Sequence, residues 1–170
     1  ESVEAIKQLV DEGVAQEAGI SNASIEQIDI ARGILGDKLV AVQNQYSPIH
    51  LETQDTLDYC AKVGLAFVCW SPLGGYRHPY DETKFDPFRE VAAAHGVSYQ
   101  QVVLAWELAK GDHVFVIPGA HRPETILDSL KADQLELTPR RARQARLIAH
   151  SPSSRICAAD VGLTSQIWED

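Results

Sequence analysis

The sequence contains no methionine. A translation product begins with Met unless it is processed, and Glu1 already lies within a helical pattern, so the expectation is a segment of something longer. Cysteine is scarce: Cys60, Cys69 and Cys157 are odd in number and lack CxxC spacing. Cys60 and Cys69 sit among apolar neighbours, where a buried, inert thiol is the usual case, and reduced structural cysteines fit a cytoplasmic protein. Lys and Arg form no run and the formal charge is −9, which argues against a nucleic acid or an anionic membrane as partner, since both need a clustered positive field. No apolar stretch approaches the roughly 20 residues that span a bilayer, and the start lacks a secretory layout. Without that layout, the sequon Asn22-Ala23-Ser24 carries no weight. Also missing are GxxxxGK, GxSxG and a catalytic Cys-His signature. The histidines at 50, 78, 95, 113, 121 and 150 have no metal-ligand spacing such as HExxH, so no metal site is expected.

What is present is an alternation of strand and helix signals in a 170-residue chain, a length that fits one domain. Val3, Ile6, Leu9 and Val10 recur at helical spacing before Gly13, and a short strand segment, Glu17 to Ile20, ends at Ser21-Asn22. Ser24 can cap a helix from Ile25 to Leu35, closed by Gly36. Leu39 to Gln43 has the continuous apolar character of a strand buried on both faces. A helix from Leu51 to Val63 follows, then a strand from Leu65 to Trp70 and a loop through Tyr80. Helices are expected at Asp86 to Ala94 and Ser98 to Lys110, and a strand at His113 to Ile117. Glu124 to Leu130, behind Pro123, and Pro139 to Ala149, capped by Thr138, complete the pattern. Strand, loop and helix repeated in this way mean parallel strands with crossover helices. Without a glycine fingerprint after the first strand, the units fit half of a TIM-type (β/α)8 barrel better than an open dinucleotide-binding sheet. Residues 1–150 are assigned to that half barrel and 151–170 to a C-terminal tail. Four strands would leave two unpaired edges and an uncovered inner face, so a homodimer or a missing N-terminal half is the expected partner.

In such a barrel, ligands meet the C-terminal strand ends. Those ends carry Ser21-Asn22, Gln43, Trp70-Ser71, and Gly119 through Arg122. A carboxamide needs one donor and two acceptors, which Ser21, Asn22 and Gln43 can provide while staying neutral, and Trp70 offers a flat face for a ring. Ser71 and the backbone near Leu73 and Gly74 can approach a pyrophosphate, because glycine permits close approach. Arg122 precedes a helix start, where an anion such as a 2′-phosphate is favoured. Taken singly, each has a plainer role: turn cap, buried amide, core aromatic, solvated charge.

Their order carries more than any one of them. Glu1 through Ala5 leading to Gly19-Ile20-Ser21-Asn22, then Val42 through Ser47, Trp70-Ser71-Pro72-Leu73-Gly74-Gly75, Gln101 through Trp106, and Val116-Ile117-Pro118-Gly119-Ala120 together resemble the aldo-keto reductases, from Glu1 to about His150. The resemblance implies an NADP (or NAD) cofactor and a small-molecule carbonyl substrate for the full-length family member. It implies that Ser21, Asn22 and Gln43 grip the nicotinamide carboxamide, that Trp70 stacks on the ring, and that Ser71 and Leu73 meet the pyrophosphate. At the adenosine end the family often has Lys and then Ser or Thr where this chain has Gly119 and Ala120. Arg122 stands in for that cation, Thr125 takes a place often held by Arg, and Asp128 and Ser129 fall where adenine contacts are usual. In the family the proton comes from a Tyr tuned by Lys and Asp, with a His orienting substrate, all upstream of the helix that opens this chain. Nothing here aligns with them, so no catalytic residue is assigned; Tyr59 and Lys62, on an outer helix, are the nearest pair. Three readings stand: the cofactor half of a reductase, a non-catalytic half barrel that binds nucleotide or a partner, and a truncated inactive remnant.

Overall fold

A computed structural model describes residues 2–75, 81–135 and 137. The elements run α1 (Ser2–Asp11), β1 (Ala18–Ser21), α2 (Ile25–Leu35), β2 (Leu39–Gln45), α3 (Gln54–Val63), β3 (Ala66–Trp70), α4 (Asp86–His95), α5 (Tyr99–Leu108), β4 (Val114–Val116) and α6 (Pro123–Leu130). The strands form one parallel sheet in the order β1-β2-β3-β4. The expected helix at Pro139 to Ala149, the loop residues 76–80 and the tail 151–170 lie outside the described residues. No helix of the described residues is long and apolar enough to cross a membrane.

Local chemistry accounts for most boundaries. Ser24 accepts from the Gln27 amide while the Gln27 side chain accepts from the Ser24 amide, a capping box that starts α2 where expected. Ser98 caps α5 through the Gln101 amide, and Gly64 and Gly96, both left-handed, stop α3 and α4. Two expectations shift. Helix α3 begins at Gln54 rather than Leu51, because Ser47 and His50 exchange backbone hydrogen bonds in an antiparallel bridge and occupy the chain ahead of it. Strand β4 spans Val114–Val116 rather than His113 to Ile117, although the His113 carbonyl and the Ile117 amide still hydrogen-bond to Phe67 and Cys69.

Period-two alternation sorts the strand residues onto two faces. Val42, Asn44, Phe67, Cys69 and Val114 are buried beneath the helices. Tyr46 stacks on Trp106 at 5.9 Å and 4°, with Phe67 edge-on to Tyr46 and Phe88 edge-on to Trp106. The opposite face carries Ser21, Gln43, Val68 and Phe115 in one register row and Gln45 beside Trp70 in another. These strands are apolar enough to be buried on both sides, yet Phe115 is 54% exposed and Ile117 is 47% exposed. The second face therefore lacks a covering layer among the described residues.

Helix α5 is buried from Gln101 to Glu107. Glu107 is fully buried and neither carboxyl oxygen has a hydrogen-bond partner. Burial pushes its pKa well above the usual carboxylate range, only partly offset by Lys110. Lys110 lies one turn away with its ammonium 3.9 Å from the centre of the Trp106 ring. The folded state holds the Glu107 proton more tightly than the unfolded state does. The contribution of Glu107 to stability is therefore greatest at low pH and falls as pH rises from the ordinary carboxylate value toward the raised folded-state value. Urea unfolding of Glu107→Gln across that window should show a shallower decline than the parent chain. Glu107→Leu should gain on the order of 1–3 kcal/mol at neutral pH, the cost of an unsatisfied buried group. Superimposable pH profiles for the parent and Glu107→Gln would contradict this reading.

Candidate functional site

Because the strands are parallel, their C-terminal ends share one edge of the sheet, and three of them converge there. The β1–β2 register sets Ser21 beside Gln43, and the β2–β3 register sets Gln45 beside Trp70. The Gln43 carbonyl accepts from both the Asn22 amide and the Ser21 hydroxyl, each at 2.9 Å. Asn22 adopts φ +53°, a left-handed geometry that Asn tolerates better than most residues. Its side-chain oxygen accepts from the indole N–H of Trp70 at 2.9 Å, across 48 residues of sequence. Indole nitrogen can only donate, so the contact fixes which end of the Asn22 amide is oxygen. The Asn22 NH2 remains a donor, the Ser21 oxygen keeps its lone pairs, and the half-buried Gln43 amide makes no hydrogen bond among the described residues. Together they offer uncharged donors and acceptors beside a ring whose N–H is tethered.

Behind this cluster stands a residue the sequence reading passed over. Asn44 is 3% exposed on the helix-facing side of β2. Its side chain accepts from the Ala23 amide at 3.0 Å and donates to the Ala23 carbonyl at 2.9 Å. The available signal was an amide at a position of β2 whose neighbours of the same parity, Val42 and Tyr46, are core residues.

After Trp70 the chain turns sharply. Ser71 has φ +50°, and its carbonyl accepts from the Gly74 amide at 2.9 Å, closing a turn around buried Pro72. Gly74 is favoured by its φ of +91°, and a Cβ there would also press within 2.8 Å of the tip of Ile49, Cδ1. A Cβ on Gly75 would come within 3.1 Å of Ser71 Oγ, so both glycines keep the turn tight. Leu73, between them and Pro72, is half-buried and packs against the core.

The fourth strand end is looser. Gly119, Ala120, His121 and Arg122 are exposed. Arg122 occupies the N-cap position of α6 without a side-chain cap bond, ahead of Pro123, and Glu124 lies in the first turn. Asp128 is turned toward α5, where its carboxylate accepts from Ser98 Oγ and Gln101 Nε2. Thr125 is half-buried. Ser129 lines an apolar hollow of about 360 Å³ with Leu104, Leu108, Phe115 and Leu130. No hydrogen bond or ion pair links this end to the amide cluster among the described residues.

The described tyrosines and cysteines are engaged in other contacts or buried. The Tyr59 phenol donates to Asp29 on α2 and accepts from Arg32, and the Asp29 bond pushes its pKa up, away from an acid poised near neutrality. Tyr46 is buried and donates to Gln54, while Tyr99 lies under the Arg89 guanidinium. Cys60 and Cys69 are free and buried; burial pushes the Cys60 thiol up to about 11 and Cys69 further. No group of three His, Cys, Asp or Glu side chains able to hold a metal ion occurs among the described residues.

Comparison with known proteins matches this architecture. The model of the Aldo/keto reductase family matches residues 1–148. Pyridoxine 4-dehydrogenase of Escherichia coli is 31% identical over 137 residues, covering 81% of this chain and 46% of that protein. The NAD(P)H-dependent D-xylose reductase of Kluyveromyces lactis is 32% identical over 152 residues, covering 82% and 45%. Among solved structures, the thermostable aldo-keto reductase Tm1743, crystallised with the inhibitor epalrestat, superposes with a TM-score of 0.76 at 28% identity, over 88% of this chain and 53% of that one. The chain thus spans about half the length of the relatives it matches. With the parallel sheet, the order of its motifs and a family match through residue 148, the chain belongs to the aldo/keto reductase family.

Proposed function

We propose that this chain supplies the nicotinamide-cofactor site of an NAD(P)H-dependent carbonyl reductase, corresponding to the C-terminal half of that protein's barrel. The observation that carries the reading is the Trp70–Asn22 hydrogen bond with the Gln43 amide beside it. A nicotinamide carboxamide presents one acceptor oxygen and two N–H donors. Asn22 NH2 can donate to that oxygen, while Gln43 Oε1 and the Ser21 lone pairs can accept from the nitrogen, so the donor set fits the group. Neutrality matters, because a charged side chain here would favour an ion over an amide. Trp70, held by its own N–H, orients a flat ring at the strand ends, and the Ser71–Gly74 turn with Leu73 lets a pyrophosphate approach backbone. When bound, the cofactor supplies the hydride.

At the far end, Arg122 and the start of α6 favour an anion, as a 2′-phosphate would provide, while Glu124 in the same turn weakens that preference. NADP is therefore the cofactor proposed and NAD remains compatible, in keeping with the NAD(P)H named for the Kluyveromyces enzyme. Gly119 leaves room for the adenosine side, and Asp128 would reach adenine only by leaving Ser98 and Gln101. Proton transfer falls to Asp, Tyr, Lys and His side chains of a preceding half. The exposed Phe115 and Ile117, together with the single-sided pairing of β1 and β4, support docking of such a half or of a second copy. Buried, protonated thiols fit a reducing compartment such as the cytoplasm.

Adding NADPH to the chain should quench tryptophan fluorescence, with most of the loss removed in Trp70→Ala. Equal quenching in that variant would remove the stacking role. Gln43→Leu should weaken binding by about tenfold, the worth of roughly 1–1.5 kcal/mol for one hydrogen-bonding group. The purified chain should also show no aldehyde-dependent NADPH oxidation above background. Turnover by the chain alone would contradict the division of labour between halves.

A further inference from the structure

We infer that Asn44 is a positioning residue for the carboxamide clamp, acting on Asn22 through the backbone of Ala23. The inference rests on the cofactor reading above for its functional meaning, but its geometry stands apart from it.

Asn44 faces away from the clamp, into the helix-facing layer, in register with Cys69. A hydrophobic residue would pack there as readily, so the buried amide needs an explanation from what it grips. It grips one residue at both ends: the N–H and the C=O of Ala23, at 3.0 and 2.9 Å. Those are the two bonds a neighbouring strand would make, so the side chain prolongs the β1–β2 pairing past the end of the ladder at Ser21–Gln43.

The neighbouring residues show why the pairing must continue. Asn22 sits at φ +53°, a conformation that a non-glycine residue keeps only when its surroundings hold it. Its N–H is held by Gln43 O, and the residue that follows it is clamped by Asn44. Ser24 is then held in the capping box of α2. Every residue from Ser21 to Ser24 is thus fixed by a bond, and only this path aims the Asn22 amide at the Trp70 indole. Releasing Ala23 lets Asn22 relax toward ordinary φ, and the indole then loses its acceptor.

The test uses Asn44→Leu and Asn44→Asp in the whole chain. In Asn44→Leu, the indole N–H resonance of Trp70 should move and lose protection from exchange, that of buried Trp106 should stay in place, and NADPH should bind about tenfold more weakly. Aspartate keeps the acceptor for Ala23 N–H but faces the Ala23 carbonyl with a second oxygen that is a donor only when protonated. Asn44→Asp should therefore recover both the Trp70 resonance and NADPH affinity as pH falls through its carboxyl pKa, a profile the parent lacks. This arm also keeps the test intact should Asn44→Leu fail to fold, since loss of packing alone gives no such pH-dependent recovery. An unmoved Trp70 resonance in Asn44→Leu, or an Asn44→Asp variant indifferent to pH, would overturn the inference. If the Trp70 resonance responds as expected while the parent chain itself binds no NADPH, the positioning role stands and the cofactor reading falls.

Discussion

One hydrogen bond, from the Trp70 indole to the Asn22 amide, joins the end of β3 to the end of β1 over the top of β2. Without it the strand ends hold two independent amides and a mobile aromatic. With it, the ring is tethered by its own edge and the Asn22 oxygen is spent, so its NH2 is left as a donor. The remaining features of the cluster serve that bond. Left-handed Asn22 brings the amide over, Asn44 fixes the next residue, and the Ser71–Gly74 turn takes the chain away directly after the indole.

The molecule separates polar satisfaction at its strand ends from dissatisfaction in its core. At the strand ends, side chains pair the Ala23 N–H and C=O and the Ser24 N–H, while the Gln43 carbonyl accepts from the Asn22 N–H and the Ser21 hydroxyl. In the core, neither Glu107 carboxyl oxygen has a hydrogen-bond partner, and Lys110, one turn on, lies over the Trp106 and Tyr46 rings. Such a carboxyl group costs stability and makes no hydrogen bond to the strand-end cluster. The exposed face bearing Phe115 is the other unsatisfied feature, and it is apolar rather than polar. Exposed apolar side chains there support the docking proposed for this face.

Helix α2 was legible to the residue, because Ser24, Gln27 and Gly36 carry their own start and stop chemistry. The parallel sheet was legible from apolar runs alternating with helices, and the family from the order of its motifs. What could not be read depends on partners distant in sequence. Asn44 looks like any strand amide until Ala23 is seen beside it, 21 residues away. Asp128 was expected to contact adenine, yet its carboxylate accepts from Ser98 and Gln101, 30 and 27 residues away. Helix α3 starts late because of a two-residue bridge with no compositional signature. For Asn44 and Asp128 a hydrogen bond to a residue distant in sequence decided the detail, whereas the chain ahead of α3 is shaped by a local bridge.

The central claim is that Asn22 and Gln43 face one carboxamide together. Titrating nicotinamide mononucleotide into the chain while following side-chain amide resonances by NMR tests it directly. The account predicts that the Asn22 and Gln43 NH2 signals shift along one saturation curve, with the Trp70 indole signal following the same curve. Shifts confined to one of the two amides, or saturation that leaves both untouched, would contradict it.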